Sequence, residues 1–262
     1  MMAALARFRD ALATGLLALG ATPNALTLAG FGLTCVAVAF LFAGAGARPA
    51  TEQVSWHPVG AAVVLTVAFA LDILDGAVAR LGGLKTDFGA ILDSTLDRLS
   101  DFVLFAACAL HFAGRNHLTL AVLSLSALGA AFTISYVKAR TECLAGGCGV
   151  GFWQRGERCA LFLFALYCGR LPAAIWLLGT LPFLTVIRRL RQAHRLVAET
   201  GAPPDAADSW AAVLPWRRPR GSLGFCICVA ACVAWMVGAA LVHPVFSGAA
   251  DPLRACLAGG AG

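Results

Sequence analysis

The chain has 262 residues, of which 60% are apolar and only 13% are charged, and its mean hydropathy is +0.80. A water-soluble domain of this length needs a larger share of polar surface, so the composition excludes that class and predicts a polytopic membrane protein. The net charge of +6 comes from basic clusters beside apolar runs. This distribution fits membrane topology and anionic lipid, and it gives no indication of nucleic-acid binding.

The first predicted element is a helix at residues 1–20. Basic residues and one aspartate interrupt its alanines and leucines, which is typical of an amphipathic helix on a membrane surface. The sequence PNALT follows at 23–27, where Pro23 suits the first turn of a helix that Thr22 or Asn24 can cap.

Apolar windows long enough to cross a bilayer, which takes about 20 residues, then recur along the chain. Seven are found, at 25–45, 58–80, 88–112, 118–138, 157–170, 171–190 and 222–243. They predict an all-α transmembrane helical bundle with a core of six helices and a seventh, C-terminal span. The predicted regions are the surface helix at 1–20, a transmembrane domain at 21–195, a cytoplasmic linker at 196–220, and the extra span and tail at 221–262.

The basic residues also predict the orientation of these spans. Most of the twenty lysines and arginines fall on one side of the membrane if the amino terminus is cytoplasmic. The carboxylates of residues 71–101 then lie at the cytoplasmic ends of the second and third spans. We expect an integral protein of a bacterial cell (inner) membrane with its functional site facing the cytoplasm.

The stretch 71–101 reads LDILDGAVARLGGLKTDFGAILDSTLDRLSD. On helices, Asp72 and Asp75 share one face, and so do Asp93 and Asp97. Carboxylates this close at membrane depth are costly unless a cation neutralises them. Hard divalent ions bind carboxylate oxygens and keep positions open for phosphate oxygens. The four aspartates therefore predict a site for one or two ions, Mg²⁺ or Mn²⁺.

The same residues resemble the signature of the CDP-alcohol phosphatidyltransferase family. The pattern D-x-x-D-G-x-x-A-R, eight residues, then G-x-x-x-D-x-x-x-D is present at every fixed position from Asp72 to Asp97. The resemblance covers about residues 20–195 and includes PNALT. It implies transfer of a phosphatidyl group from CDP-diacylglycerol to a polar alcohol, with release of CMP.

The resemblance also implies roles for individual residues. The metal ligands would be Asp72, Asp75, Asp93 and Asp97, holding two ions, with Mg²⁺ first and Mn²⁺ as the alternative. Asp97 would in addition be the general base that takes the proton of the acceptor hydroxyl. The CDP group would be bound by Gly76, Ala79, Arg80, Gly89 and Asn24.

The acceptor is indicated by two basic segments, SYVKARTE at 135–142 and RGER at 155–158. They are similar to a subgroup, the phosphatidylinositol phosphate synthases, in which a proline stands at the position of Gly156. This similarity implies inositol 1-phosphate as the acceptor, with glycerol 3-phosphate as the alternative, and a homodimer in membrane lipid. The phosphate group of the acceptor would be bound by Lys138, Arg155, Arg158 and Arg189.

Other classes also use membrane aspartates. An intramembrane prenyltransferase would show an Asn-rich NDxxD motif and about nine spans, whereas an ion-coupled transporter would show broken helices at mid-membrane in two repeated halves. The chain has a single acidic cluster at the predicted cytoplasmic edge. We therefore treat both as alternatives, together with a catalytically inactive relative of the family.

Overall fold

The computed structural model describes residues 2–43, 56–145, 151–198, 227, 230–235, 238, 244–247 and 250–259. Within these ranges the regular structure is helical, which confirms the all-α prediction. The chain forms two compact units, Met1–Ala107 and Cys108–Gly262, and each is described by itself.

The first unit carries the acidic residues. Its helices are α1 (Met2–Ala18), α2 (Pro23–Ala43), α3 (Trp56–Leu81) and the start of α4 (Asp87–Gly114). A small apolar cluster joins the first three, in which Ala13 of α1 and Leu26 of α2 pack with Ala77 and Val78 of α3. Because two of these four residues are alanines, the helices approach closely beside the C-terminal half of α3.

Threonines cap two of these helices. Thr22 Oγ1 accepts a hydrogen bond from the Ala25 amide at 3.3 Å at the start of α2, so Thr22 is the cap rather than Asn24. Thr86 Oγ1 accepts one from the Gly89 amide at 3.0 Å at the start of α4. These caps fix the residue at which each helix begins.

The second unit carries the basic residues. Its helices are α5 (Leu118–Ala145), α6 (Arg155–Tyr167), α7 (Leu171–Thr180), α8 (Pro182–Ala198), α9 (Pro244–Ser247) and α10 (Pro252–Gly259). The long helix α5 packs against both α7 and α8. At the contact, Ser126 Oγ donates a hydrogen bond to the Gly179 carbonyl at 2.7 Å. The break between α7 and α8 comes at Leu181, just before Pro182, which has no amide hydrogen to donate.

Four helical stretches of the described chain are long and apolar enough to cross a membrane. They are Pro23–Phe42, Pro58–Leu81, Leu118–Leu144 and Leu171–Leu196. Helix α4 is long enough to cross a bilayer, but its charged residues keep it outside the four apolar stretches. Helix α6 has 13 residues, fewer than the about 20 that cross a bilayer. It ends at Tyr167, before the predicted window at 157–170 does. The total of seven spans stays a prediction, because much of 222–243 lies outside the described residues. Of the predicted linker 196–220, only 196–198 are described, and they continue α8.

Part of the predicted seventh span is described, and it contacts Phe246, which follows that span in the chain. Residues 230–235 are helical. The Phe246 ring lies edge-on between Trp176 of α7 and Trp235, with ring centroids 5.5 and 4.8 Å away. The Trp176 indole also donates a hydrogen bond to the Val245 carbonyl at 3.2 Å. The C-terminal segment is therefore docked on the second unit through aromatic contacts.

Asp251 makes a second connection, beyond the predicted spans. Its carboxylate accepts hydrogen bonds from the amides of Leu118 (2.6 Å), Thr119 (3.1 Å) and Arg254 (3.3 Å), and from the Thr119 hydroxyl. One side chain thus caps the start of α5 and of α10. Burial acts to raise the pKa of Asp251, but the hydrogen bonds from Thr119, Arg254 and Leu118 outweigh it and hold the pKa below its ordinary value.

Asp251→Ala is expected to lower the free energy of unfolding by about 2 kcal/mol, because it removes the cap of two helices at about 1 kcal/mol each. The contribution of the wild-type carboxylate is present above the unfolded pKa, near 4, and is lost as the pH falls through the lower folded value. Thermal unfolding in detergent, measured at several pH values, tests both points. In Asp251→Asn the amide keeps an acceptor oxygen, so a smaller loss without this pH dependence is expected. An unchanged melting temperature in the alanine variant would contradict the capping role.

Candidate active site

The candidate site is built where the end of α3 meets the start of α4. Asp72 and Asp75 are one helical turn apart on α3, and Asp93 lies in the second turn of α4. One carboxylate oxygen from each lies within 4.8 Å of the other two. Asp75 is only 5% exposed, and the other two are half-buried.

This cluster fits a hard divalent cation. Three carboxylates in so small a space repel one another, and burial of Asp75 makes the repulsion more costly. Carboxylate oxygens are the donors that Mg²⁺ and Mn²⁺ prefer. The structure thus brings together three of the four predicted ligands. Asp97 is half-buried and follows Asp93 by one turn of α4, about 6 Å along the helix axis. Its role as a ligand stays a prediction.

Thr27 supports the cluster, and the sequence analysis did not assign it a role. Its hydroxyl donates a 2.7 Å hydrogen bond to Asp75 Oδ2, and both side chains are buried. The bond holds one carboxylate oxygen of Asp75 in position within the cluster. A signal was present in the sequence, because Thr27 is the last residue of PNALT.

Thr27→Val is expected to weaken metal binding by about tenfold, in the range found for residues that orient a metal ligand. Valine keeps the shape of threonine, but it leaves Asp75 without this donor. Binding of Mn²⁺ to the purified protein, followed by electron paramagnetic resonance, measures the effect. Thr95→Val is the matched control, since Thr95 is exposed on α4 and bonds only to the Ile91 carbonyl in its own helix. An equal loss in both variants would argue against a specific role of Thr27.

Two pairs of the residues predicted to bind CDP are close together in the first unit. A Cβ atom added to Gly89 would lie 2.9 Å from Thr86 Oγ1 and 3.2 Å from Asn24 Oδ1, so only glycine fits without a shift. A Cβ atom on Gly76 would lie 3.5 Å from Arg80 Nη1. Both pairs flank the acidic cluster, Gly76 on α3 and Gly89 on α4.

Ala79 and Arg80 follow one turn after the aspartates of α3. Ala79 is half-buried and Arg80 is exposed. Arg80 thus keeps its guanidinium in reach of a phosphate group that approaches from solvent. The assignment of these residues to CDP binding stays a prediction.

Two of the four predicted acceptor residues are buried in the second unit. Arg158 and Arg189 are each 3% exposed. Arg158 Nη1 donates to the Trp153 carbonyl at 3.1 Å, and Arg189 Nη1 donates to the Ile134 carbonyl at 2.7 Å. Each carbonyl accepts a hydrogen bond from the guanidinium and thereby orients it within the second unit.

The other two predicted acceptor residues are less buried. Arg155 is half-buried and shares the first turn of α6 with Arg158. Lys138 is about half exposed and lies 3.7 Å from Glu142 one turn further along α5. The acidic cluster belongs to the first unit and these basic residues to the second, so a shared site remains a prediction.

Comparison with known proteins identifies the family. The family described as CDP-alcohol phosphatidyltransferase matches residues 20–187. An archaetidylinositol phosphate synthase of Pyrococcus horikoshii is 33% identical over 69% of this chain and 87% of its own length. A phosphatidylinositol phosphate synthase of Corynebacterium glutamicum is 37% identical over 66% of this chain and 78% of its own.

Solved structures agree with this match. The phosphatidylinositol phosphate synthase of Mycobacterium tuberculosis with CDP-DAG bound is 29% identical, with a TM-score of 0.61 over 71% of this chain and 94% of that one. The same enzyme in complex with manganese and citrate gives a TM-score of 0.60. The family signature, the grouped aspartates and these matches together show that the chain belongs to the CDP-alcohol phosphatidyltransferase family of membrane transferases.

Proposed function

We propose that the protein transfers the phosphatidyl group of CDP-diacylglycerol to inositol 1-phosphate and releases CMP. The observation that carries the reaction is the cluster of Asp72, Asp75 and Asp93 within the family signature. The acceptor is supported by the names of the relatives, which are synthases of inositol phosphate lipids. The positive-inside bias supports a site that faces the cytoplasm of a bacterial inner membrane. Family membership removes the prenyltransferase and transporter alternatives.

In this reaction a hydroxyl oxygen of the acceptor forms a bond to the phosphorus that bears diacylglycerol. The bond from that phosphorus to the oxygen of CMP breaks, and CMP leaves with the electron pair. Asp97 takes the hydroxyl proton, so it must lie within hydrogen-bond reach of the acceptor. Two bound Mg²⁺ ions, or Mn²⁺ in their place, would neutralise the diphosphate.

The donor would be held from both sides of the acidic cluster. Asn24, Gly76, Ala79 and Gly89 leave room for the cytidine diphosphate, and Arg80 offers a planar fork to a phosphate. The two acyl chains remain in the lipid beside the helices. The donor can therefore reach the site without leaving the membrane.

The acceptor carries a phosphate of its own, which needs cations. Arg158 and Arg189 supply positive charge that is buried and oriented. Arg155 and Lys138 supply positive charge that is more accessible to solvent. Glycerol 3-phosphate also carries a phosphate, so it is the alternative acceptor. By the family resemblance, we propose that the protein works as a homodimer.

Release of CMP by the purified protein in detergent tests the reaction. CDP-diacylglycerol and Mg²⁺ are supplied with inositol 1-phosphate, glycerol 3-phosphate, inositol or serine in parallel. We expect release with inositol 1-phosphate, and its loss when the metal is chelated. Release only with glycerol 3-phosphate would select the alternative acceptor, and no release with any acceptor would contradict the proposed reaction.

Arg158→Gln is expected to raise the KM for the phosphorylated acceptor by at least about 30-fold, because loss of a buried charged partner costs 2–5 kcal/mol. The KM for CDP-diacylglycerol should change little. Steady-state kinetics with each substrate varied in turn separates the two effects. The matched control is Arg191→Gln, which removes an exposed charge from α8. A rise in the KM of the donor alone would assign Arg158 to the nucleotide instead.

A further inference from the structure

The second unit contains a cavity that the proposed reaction does not use. Its volume is about 120 Å³. The face of α8 forms one wall, the turn at 152–153 forms another, and the described helical segment 230–235 contributes Cys232. The full lining is Phe152, Trp153, Leu181, Leu184, Thr185, Arg188 and Cys232.

The walls of this cavity are almost entirely apolar. Phe152 and Trp153 meet edge-to-face with ring centroids 5.1 Å apart, so the turn presents aromatic surface. A volume close to that of cavities that bind benzene and remain free of water can hold a short stretch of hydrocarbon. The polar acceptor or the nucleotide would lose its hydration there without gaining partners.

A glycine allows the aromatic turn at 152–153 to lie close to α8. Gly151 has φ +113°, and a Cβ atom there would lie 2.2 Å from Thr185 Cγ2. The Trp153 amide also donates to Thr185 Oγ1, at 3.4 Å. Both observations place the turn directly against buried Thr185, which leaves no room for a side chain at position 151.

Arg188 places a positive charge at one end of the cavity. Leu181, just before α8, and Arg188 on α8 are separated by seven residues, or about 10 Å along the helix axis. Leu181 lies toward the middle of the candidate span Leu171–Leu196, and Arg188 lies nearer the end that the charge distribution predicts to be cytoplasmic. An apolar slot with a cation at its membrane-surface end complements a lipid whose head group is negatively charged.

We propose that this cavity binds an anionic phospholipid, with part of one acyl chain between Leu181, Trp153 and Cys232 and the phosphate on Arg188. Exposed Arg195, further along α8, extends the positive surface toward the head-group layer. Arg189, the next residue after Arg188, donates to the Ile134 carbonyl of α5. Adjacent residues on a helix point in different directions, so two neighbouring arginines serve different ligands.

Cys232 lies outside the part of the chain that the family shares. The family match ends at residue 187, whereas the segment 230–235 belongs to the predicted seventh span. Trp235 of this segment packs on Phe246, which packs in turn on Trp176 of α7. One function of the added span is therefore to complete the wall of a lipid site.

Native mass spectrometry of the purified full chain, equilibrated with dioleoyl phosphatidylglycerol and dioleoyl phosphatidylcholine in equal amounts, tests the proposal. Preferential retention of phosphatidylglycerol is expected. Arg188→Gln should reduce that preference about fivefold, the effect of one basic residue on an anionic lipid surface. Arg191→Gln, which removes an exposed arginine that does not line the cavity, should reduce it much less.

Two substitutions that fill the cavity complete the test. Cys232→Phe and Leu184→Trp, which act from different walls, should each abolish the preference, whereas Cys168→Phe at an exposed cysteine should not. A melting temperature close to wild type in either filled variant ensures that lost folding does not explain the result. Equal retention of both lipids by the wild type, or an unchanged preference in the folded filled variants, would overturn the proposal. Displacement of phosphatidylglycerol by an equal amount of CDP-diacylglycerol would also overturn it, because the cavity would then belong to the donor.

Discussion

Asp75→Asn is expected to reduce metal affinity by at least about 100-fold and to abolish metal-dependent release of CMP. Asparagine has the same shape and can still accept the hydrogen bond from Thr27, so the packing around it is kept. It has one negative charge fewer, and its amide nitrogen cannot bind a cation. A direct ligand should matter at least as much as the residues that orient ligands, whose loss costs 10–100-fold. Binding of Mn²⁺ and release of CMP measure the two effects.

The control for this variant is Asp10→Asn. Asp10 is an accessible carboxylate of the same unit and pairs with Arg9 at 2.6 Å, away from the three grouped aspartates. It should leave metal binding and turnover unchanged. If Asp75→Asn bound Mn²⁺ as tightly as the wild type, the grouped carboxylates would be a structural feature and not a metal site.

The acidic cluster could be predicted from the sequence because it depends on local rules. Helical periodicity alone puts Asp72 and Asp75 on one face. The cost of charge in a membrane then requires that this face meets a cation or another polar element. The short connection between α3 and α4 brings Asp93 back to the same end, so three positions of the pattern converge in space.

The partners of the buried groups could not be predicted in the same way. The bond from Thr27 to Asp75 joins two helices, and the bond from Arg158 goes to a main-chain carbonyl that no residue pattern reveals. The end of α6 was not predicted to the residue either, because the predicted window runs to 170 whereas the helix ends at Tyr167. These features depend on packing and backbone direction, which composition and periodicity do not specify.

The surroundings of Arg188 and Arg189 could not be predicted from the sequence either. In the sequence, Arg188 and Arg189 are two equal charges at the end of a span. In the structure, Arg189 is buried against α5, whereas Arg188 lines an apolar cavity. The turn of 100° between adjacent residues makes this difference, and only the neighbours of the helix show which charge faces which ligand.

Asp97→Asn is expected to lower kcat by about 10²–10⁴-fold, the usual contribution of a general base. Binding of Mn²⁺ should fall far less than in Asp75→Asn, because Asp97 lies one turn beyond the three grouped aspartates. Rapid-quench measurement of a single turnover isolates the transfer step from product release. The two variants together thus separate a residue that holds the metal from one that takes a proton.

The matched control for Asp97 is Asp87→Asn, at an exposed carboxylate in the first turn of the same helix. This variant should keep kcat within about twofold, because a surface substitution away from the site changes little. If Asp97→Asn kept full activity, another group would have to accept the hydroxyl proton. If it lost metal binding as completely as Asp75→Asn, Asp97 would act as a ligand first, and the base would have to be sought elsewhere. Slow turnover with the metal still bound is the one result that assigns proton transfer to Asp97. Loss of a group that takes a proton raises the barrier of the transfer step and leaves the affinity for the ion unchanged.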